Sequence, residues 1–319
     1  MTENKEPNSI NIHEALETVT DPELKKILTR ISEQIIHAGP HKEVEEFKKK
    51  ITKTTQQPTQ QVFSFLPHEM AKVSIFFPLS DKDLKEENRR IHRIEQESSW
   101  GKVVIEGVKL AIFEEDVFLA IMKVGHKKIT CINGQYILET NIKDIIHLLY
   151  GTSYYSSKKV VASILRTLDH FQLVKFSLTL FTKKKAGFKG SIGNIVQSYY
   201  YDPATHNLKI KFNPDFCVFF MESMLTNINF TIRRHLKKDG SKALLRFLTA
   251  HNKPTRMHIL TVLKAINYNI EQPTYALRRK FKQFIAELKK VRVLGPKTKL
   301  YPDDTVFFDI LANPKTLHV

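Results

Sequence analysis

Residues 272–291, QPTYALRRKFKQFIAELKKV, set Leu277, Phe281, Phe284 and Leu288 at the spacing i, i+4, i+7, i+11, among six basic residues and one acidic residue. That period gathers the large apolar side chains into one stripe of an α-helix. Arg278, Lys282 and Lys289 fall on another line of the same cylinder, with Tyr275 and Arg279 beside them. Pro273 suits a first helical turn and Thr274 follows it, so the helix starts there. Any fold this chain adopts has to cover one side of this helix and leave the other side free for water or for a polyanion.

The flanking segments narrow the choice. NFTIRRHLKKDGSKALLRFLTAHN (229–252) has helical periodicity with Gly240 as a weak point, and RMHILTVLKAIN (256–267) is expected to be a second helix. The five residues YNIEQ connect it to the basic helix, which is the length of a helix-turn-helix connector. VRVLGPKTKLYPDDTVFFDIL (291–311) then reads as a strand, a turn with Gly295, Pro296 and Pro302, and a final strand. Helix, helix, helix and two-stranded ribbon is the order of a winged helix-turn-helix.

Residues 114–212 can be read the same way. EEDVFLAIMKVGHK (114–127) is helical with an acidic first turn, after the strand-like GKVVIEGVKLAIF (101–113). KITCINGQYILET (128–140) is a hairpin around Asn133-Gly134. A helix over 141–151 is capped by Asn141 and ended by Gly151, and a further helix covers 156–171. Strands follow at 173–181 and, joined through Asp202-Pro203, within 191–213.

A length of 319 residues suits two domains. The expected fold class is α+β: tandem winged-helix domains, each a helix-turn-helix plus a β-ribbon, behind a helical N-terminal extension. Residues 1–61 form that extension and a polar linker, TKTTQQPTQQ (52–61); residues 62–220 form the first domain and residues 221–319 the second.

Charge follows this division. Fifty Lys and Arg against 33 Asp and Glu give a net charge of +17. Residues 221–319 hold 19 basic and 7 acidic side chains, while residues 1–60 are nearly neutral. So positive a segment repels itself unless it works against a polyanion, with double-stranded DNA first and an anionic membrane surface second. A lipid role would compete with the fold for Phe281, Phe284 and Leu288. The longest apolar run, FCVFFM (216–221), is far short of a membrane span, and the polar start MTENKEPNSI has no secretory pattern. Cys131 and Cys217, far apart and in apolar surroundings, fit reduced thiols in a cytosolic protein.

An α-helix fits the major groove of B-DNA, and residues near its N-terminus reach base edges. Thr274, Tyr275, Arg278, Arg279 and Lys282 are the expected base and phosphate readers, with Arg256 as a further DNA contact. Lys297 and Lys299 on the ribbon are expected at phosphates or the adjacent minor groove. In the first domain the equivalent helix offers Ser156, Lys158, Lys159 and Arg166, and the equivalent wing, KKKAGFK (183–189), offers Lys184 and Lys185. The smaller charge excess there leaves structural support or dimer packing beside DNA reading.

Catalytic patterns are missing. Tyr199–Tyr201 would suit a nicking nucleophile, but no His-x-His accompanies them. GFKGSIG (187–193) lacks the Lys-Ser/Thr of a phosphate loop, and no metal-ligand spacing occurs. The expectation is a protein that works by binding, with no catalytic residue, metal or cofactor.

Several stretches resemble the TrfA-type plasmid replication initiators, related to the RepE-like two-winged-helix initiators. They are LPHEMAKVSIFFPLS (66–80), RIEQESSWGKVVIEGVKLAIFEEDVFLAIMKVG (93–125), SYYYDPATHNLKIKFNPDF (198–216) and, within 230–291, FTIRRHLKKDGSKALLRFLTAHNKPTRMHILTVLKAIN and LRRKFKQFIAELKKV. The resemblance covers roughly residues 66–310 and lies in layout and scattered residues. It implies a cytoplasmic bacterial protein that binds direct repeats (iterons) at a plasmid origin, opens adjacent AT-rich DNA and recruits host replication proteins. Partners implied are the host helicase, the host initiator and the sliding clamp, with a monomer–dimer equilibrium. Helix 274–290 would be the principal reader and helix 156–170 the secondary one. QVFSF (61–65) has the Gln and Phe of a clamp-binding peptide but Ser64 where Leu is expected. A winged-helix transcriptional regulator that leaves DNA duplexed is the alternative.

Overall fold

The structure, a computed structural model, describes residues 63–98, 101–125, 128–151, 157–181, 186–223, 225–251 and 255–311. The N-terminal extension and linker expected over residues 1–61 lie outside the described residues, as do Trp100, Ser156, Lys184 and Lys185.

The turn and cap signals of the first half operate as their chemistry requires. Strands β1 (Phe63–Pro67) and β2 (Phe76–Phe77) flank α1 (His68–Lys72); α2 (Glu86–Arg89), β3 (Arg90–Ser98), β4 (Gly101–Val108), β5 (Leu110–Ala111) and α3 (Ile112–Gly125) follow. Asn133 and Gly134 take φ of 50° and 72°, so the two-residue turn between β6 (Ile129–Ile132) and β7 (Gln135–Asn141) has positive φ at both positions, as a type I′ turn needs. The Asn141 side chain accepts from the Lys143 N–H at 3.0 Å and opens α4 (Ile142–Tyr150). Ser157 caps α5 (Lys158–Leu173) by accepting from the Val160 N–H. Strands β8 (Lys175–Phe181), β9 (Ala186–Ile192), β10 (Val196–Tyr201) and β11 (Asn207–Phe212) lead to α6 (Pro214–Glu222).

Two four-stranded antiparallel sheets result, in the orders β3-β4-β8-β9 and β10-β11-β7-β6. The expected single strand over 101–113 is instead β4, β5 and the start of α3. Gly107, at φ 93°, lies so close to the end of α5 that a Cβ there would sit 2.2 Å from the Leu173 carbonyl oxygen. Residues 186–192, which take in the end of the expected wing over 183–189, are a strand paired with β8.

The second half runs β12 (Leu225–Asn229), α7 (Phe230–His235), α8 (Asp239–His251), β13 (Thr255–His258), α9 (Ile259–Ala265), α10 (Thr274–Lys290), β14 (Lys299–Leu300) and β15 (Thr305–Phe308). Three expectations change. The helix over 229–252 breaks at residues 236–238 and not at Gly240, which is buried inside α8 because Phe284 packs where its side chain would be. The helix expected from 256 begins only at Ile259, because residues 255–258 form a strand against β15. Val291–Leu294 contribute only a bridge, Leu294 to Ile310, so the ribbon is the short β14–β15 pair. The antiparallel sheet order is β13-β15-β14.

The apolar stripe of α10 is buried as its spacing requires, and Phe281 meets Phe284 and Phe308 edge-on, at ring centroids 6.4 and 6.2 Å apart. Each such side chain contributes about 1.5–3 kcal/mol by leaving water. The two halves share one apolar core, and β1 pairs antiparallel with β12 over Phe63–Asn229 to Pro67–Leu225. The domain boundary expected between residues 220 and 221 falls inside α6. Phe65 is fully buried within β1, so this part of QVFSF is a strand of the fold and not a free clamp-binding peptide. Among the described residues no helix is long and apolar enough to cross a membrane.

Candidate nucleic-acid interface

Burying Leu277, Phe281, Phe284 and Leu288 turns the opposite side of α10 outward. Thr274, Tyr275, Arg279 and Lys282 are exposed there, Tyr275 to 75%. They occupy the first half of a helix about 25 Å long. A backbone cylinder of this kind fits the width of a duplex major groove, and its cationic face complements the negative charge there.

Arg278, expected among the readers, is committed elsewhere. It forms an ion pair with Asp304 and donates from Nη2 to the Tyr301 carbonyl at 2.8 Å. Asp304, at φ 56°, also accepts from the Ile259 N–H through its carbonyl, at 2.9 Å. Arg278 therefore holds the ribbon tip, residues 301–304, against the start of α10, where Thr274, Tyr275 and Arg279 stand.

The tip carries a second cationic group. The Arg256 guanidinium lies 4.5 Å from the Tyr301 ring centroid and Lys299 Nζ lies 5.3 Å from it. Ring-face contacts of this kind orient cations without neutralising them. Arg256 also donates from Nε to Thr305 Oγ1 at 3.0 Å and pairs with Asp303 at 3.1 Å. Hydrogen bonds from the Thr305 side chain and backbone, with Arg256 nearby, hold the Asp303 carboxyl below the usual carboxylate range. Arg256 thus joins the ribbon and not the second helix, since it stands on β13, next to β15.

The two ribbon lysines separate. Lys299 is at the tip group, whereas exposed Lys297 sits at the base, its N–H donating to Asp309 Oδ2 at 3.1 Å. Lys289, on the polar line of α10, donates to the Thr298 carbonyl at 2.8 Å and closes that base.

In the first half Lys158 and Lys159 are exposed on the first turn of α5, and Arg166 is exposed about two turns further on. Asp169 lies on the same helix and accepts from the Tyr199 hydroxyl at 2.7 Å. Burial and this carboxylate push the Tyr199 pKa up to about 12. The acid makes this face less positive than that of α10.

Sequence reading missed Tyr301, Asp303 and Asp304. PDD between Tyr301 and Thr305 signals a turn, but only the closed ribbon shows that its acids face Arg256 and Arg278. It also missed Asn267, at φ 57° just past α9, whose Nδ2 donates to the Ser74 carbonyl at 2.5 Å in the first half.

No family model and no curated protein matches the chain. Among solved structures it is similar to domains 2 and 3 of RctB, at 12% identity and a TM-score of 0.47 over 77% of this chain and 98% of that one. It is also similar to the Pi initiator protein in complex with iteron DNA, at 12% identity and a TM-score of 0.47 over 81% of this chain and 100% of that one. A second structure of RctB domains 2 and 3 is similar at 12% identity and a TM-score of 0.41, over 68% of this chain and 92% of that one.

Proposed function

We propose that the chain is a plasmid replication initiator, built from two winged-helix units, that binds direct repeats at an origin. The observation that carries the DNA-binding part is the exposed face of α10, where Thr274, Tyr275, Arg279 and Lys282 stand beside Arg256 and Lys299 at the ribbon tip. In this reading α10 enters the major groove, the ribbon tip meets phosphates, and Lys158, Lys159 and Arg166 of α5 add a second, weaker contact. The protein acts by binding and deforming DNA, without catalysis. Opening of AT-rich DNA and recruitment of host helicase rest on the resemblance of the quoted stretches to TrfA-type initiators.

The test is fluorescence anisotropy with duplexes tiled from DNA flanking the gene, against shuffled duplexes, across a salt series. Repeat-dependent binding that survives about 0.2 M salt, where non-specific electrostatic binding fades, is expected. Permanganate reactivity of thymines beside the repeats should then appear on supercoiled DNA. Sequence-blind binding that vanishes with salt would sink the reading. Repeat-dependent binding that leaves every thymine protected would indicate a transcriptional regulator.

A further inference from the structure

Three consecutive acids, Glu114, Glu115 and Asp116, open α3, and all three are buried. Acidic residues suit the first turn of a helix, but they normally face water. Each of these instead has a cationic partner, and the partners belong to different parts of the fold.

Glu114 faces the first half. Its Oε1 accepts from Arg89 at 2.8 Å and lies 3.1 Å from His170 Nδ1 on α5, and its Oε2 accepts from the Ala111 N–H at 2.6 Å. Glu115 and Asp116 face the second half. Glu115 pairs with Arg233 at 3.1 Å and with Arg246, and Asp116 pairs with Arg233 at 2.5 Å and with Lys242 at 2.6 Å. Arg233 is on α7, and Lys242 and Arg246 are on α8, against which α10 packs through Gly240 and Phe284.

A buried ion pair of this kind is a poor source of stability. Removing two charges from water offsets most of their attraction, and well-packed apolar residues often serve as well. The network is not even fully satisfied: Nε and Nη2 of Arg246 find no hydrogen-bond partner among the described residues. What charges supply and apolar contacts do not is direction, because a guanidinium meets a carboxylate in few geometries. A neutral, equally directional hydrogen bond also joins the halves, where Asn267, in the connector between α9 and α10, donates to the Ser74 carbonyl.

We infer that the Glu114-Glu115-Asp116 turn is a positioning clamp that fixes α5 and α10 relative to each other, and so sets the spacing of DNA contacts that the protein accepts. Glu114 holds the α5 side and Glu115 with Asp116 the α10 side, on one rigid helical turn. The DNA consequence rests on the function proposed above; the clamp itself does not.

Two measurements separate them. Spin labels at Lys159→Cys and Lys282→Cys, in a Cys131→Ser background of the full chain, report the distance between the helices by pulsed electron resonance without DNA. Wild type should give one narrow distribution. The double variant Glu115→Leu/Arg246→Met removes one charge of each sign and keeps the volume apolar; its distribution should at least double in width. Asn267→Ala, which changes no charge, should broaden it as well. An unchanged width in the folded Glu115→Leu/Arg246→Met variant overturns the clamp.

The second measurement is affinity for the bound repeat with five base pairs, about half a helical turn, inserted between the segments protected by the two units. Wild type should lose at least 100-fold and Glu115→Leu/Arg246→Met at least 10-fold less, by anisotropy. Equal loss in both overturns the spacing role. Sequence-blind binding by wild type would refute the proposed function, and the distance distributions would still judge the clamp.

Discussion

Arg278 and Asp304, 26 residues apart in sequence, form an ion pair that ties the ribbon tip to the first turns of α10. An arginine at this place in a basic helix invites reading as a base contact. Both of its described interactions are internal, however, so under the proposed function its part is to position the residues around it.

Arg278→Ala should therefore weaken binding to matched and mismatched duplexes alike, and lower stability by about 1 kcal/mol, since the pair is partly exposed. Arg279→Ala, at an exposed position, should cost about 1–3 kcal/mol on the matched repeat and relax discrimination at one base pair. Anisotropy against a panel of single-base substitutions distinguishes them. A base-specific loss for Arg278→Ala would return it to the readers.

Asp303 sits on Arg256 and dilutes the positive charge of the ribbon tip. Asp303→Asn should raise affinity for any duplex and steepen the salt dependence by about one unit of log K against log salt. Titrations at four salt concentrations measure the slope. No change would mean that Arg256 does not approach DNA.

Gly240 has no room for a side chain, because a Cβ would lie 2.2 Å from Phe284 Cζ. Phe284 is itself held by Tyr268, at a ring centroid distance of 5.5 Å, and by Phe281. Gly240→Ala should destabilise by about 1–3 kcal/mol despite the better helix propensity of alanine. Adding Phe284→Leu should recover part of the loss. Urea unfolding of the two variants provides the comparison.

Glu114 makes the fold sensitive to acid. Burial pushes its carboxyl up, but hydrogen bonds from His170 and Arg89 outweigh burial and hold it below the ordinary Glu value. The stability it contributes is complete above the unfolded carboxylate range and is lost as pH falls through the lowered folded value. Glu114→Gln should be less stable at neutral pH, by about 3–5 kcal/mol if Arg89 is left unpaired. Its melting temperature should also fall less than that of wild type between pH 5 and pH 3. Parallel slopes would show that Glu114 titrates alike in both states.

Local chemistry was legible wherever one residue type decides the backbone. Asn133-Gly134, the Asn141 cap with Gly151, and the stripe of α10 all behave as their residues dictate, because these signals act over one or two turns. Legibility stopped at β13. TRMH carries no decisive local preference, and it becomes a strand because β15 offers an unpaired edge. Gly240 misled for a related reason: its local reading is a weak point, and its tertiary role is to let Phe284 approach.

Residue order alone dictates that α10 has an apolar side to bury and a cationic side to expose, that residues 221–319 concentrate the positive charge, and that turns and caps fall where they do. Spacing and charge along a chain are properties of neighbouring residues, and neighbours are what a sequence displays. Which cations face outward is settled by the packed fold. Arg278 and Arg279 are adjacent and both basic, yet one is bound to Asp304 and the other faces outward. The difference comes from the closing of the ribbon, which brings residue 304 to residue 278. The same holds for Glu114, Glu115 and Asp116, an ordinary acidic helix start until Arg89, His170, Arg233 and Arg246 fold over it. Partners distant in sequence are chosen by how the layers stack, because the low dielectric of the core leaves no buried charge without one.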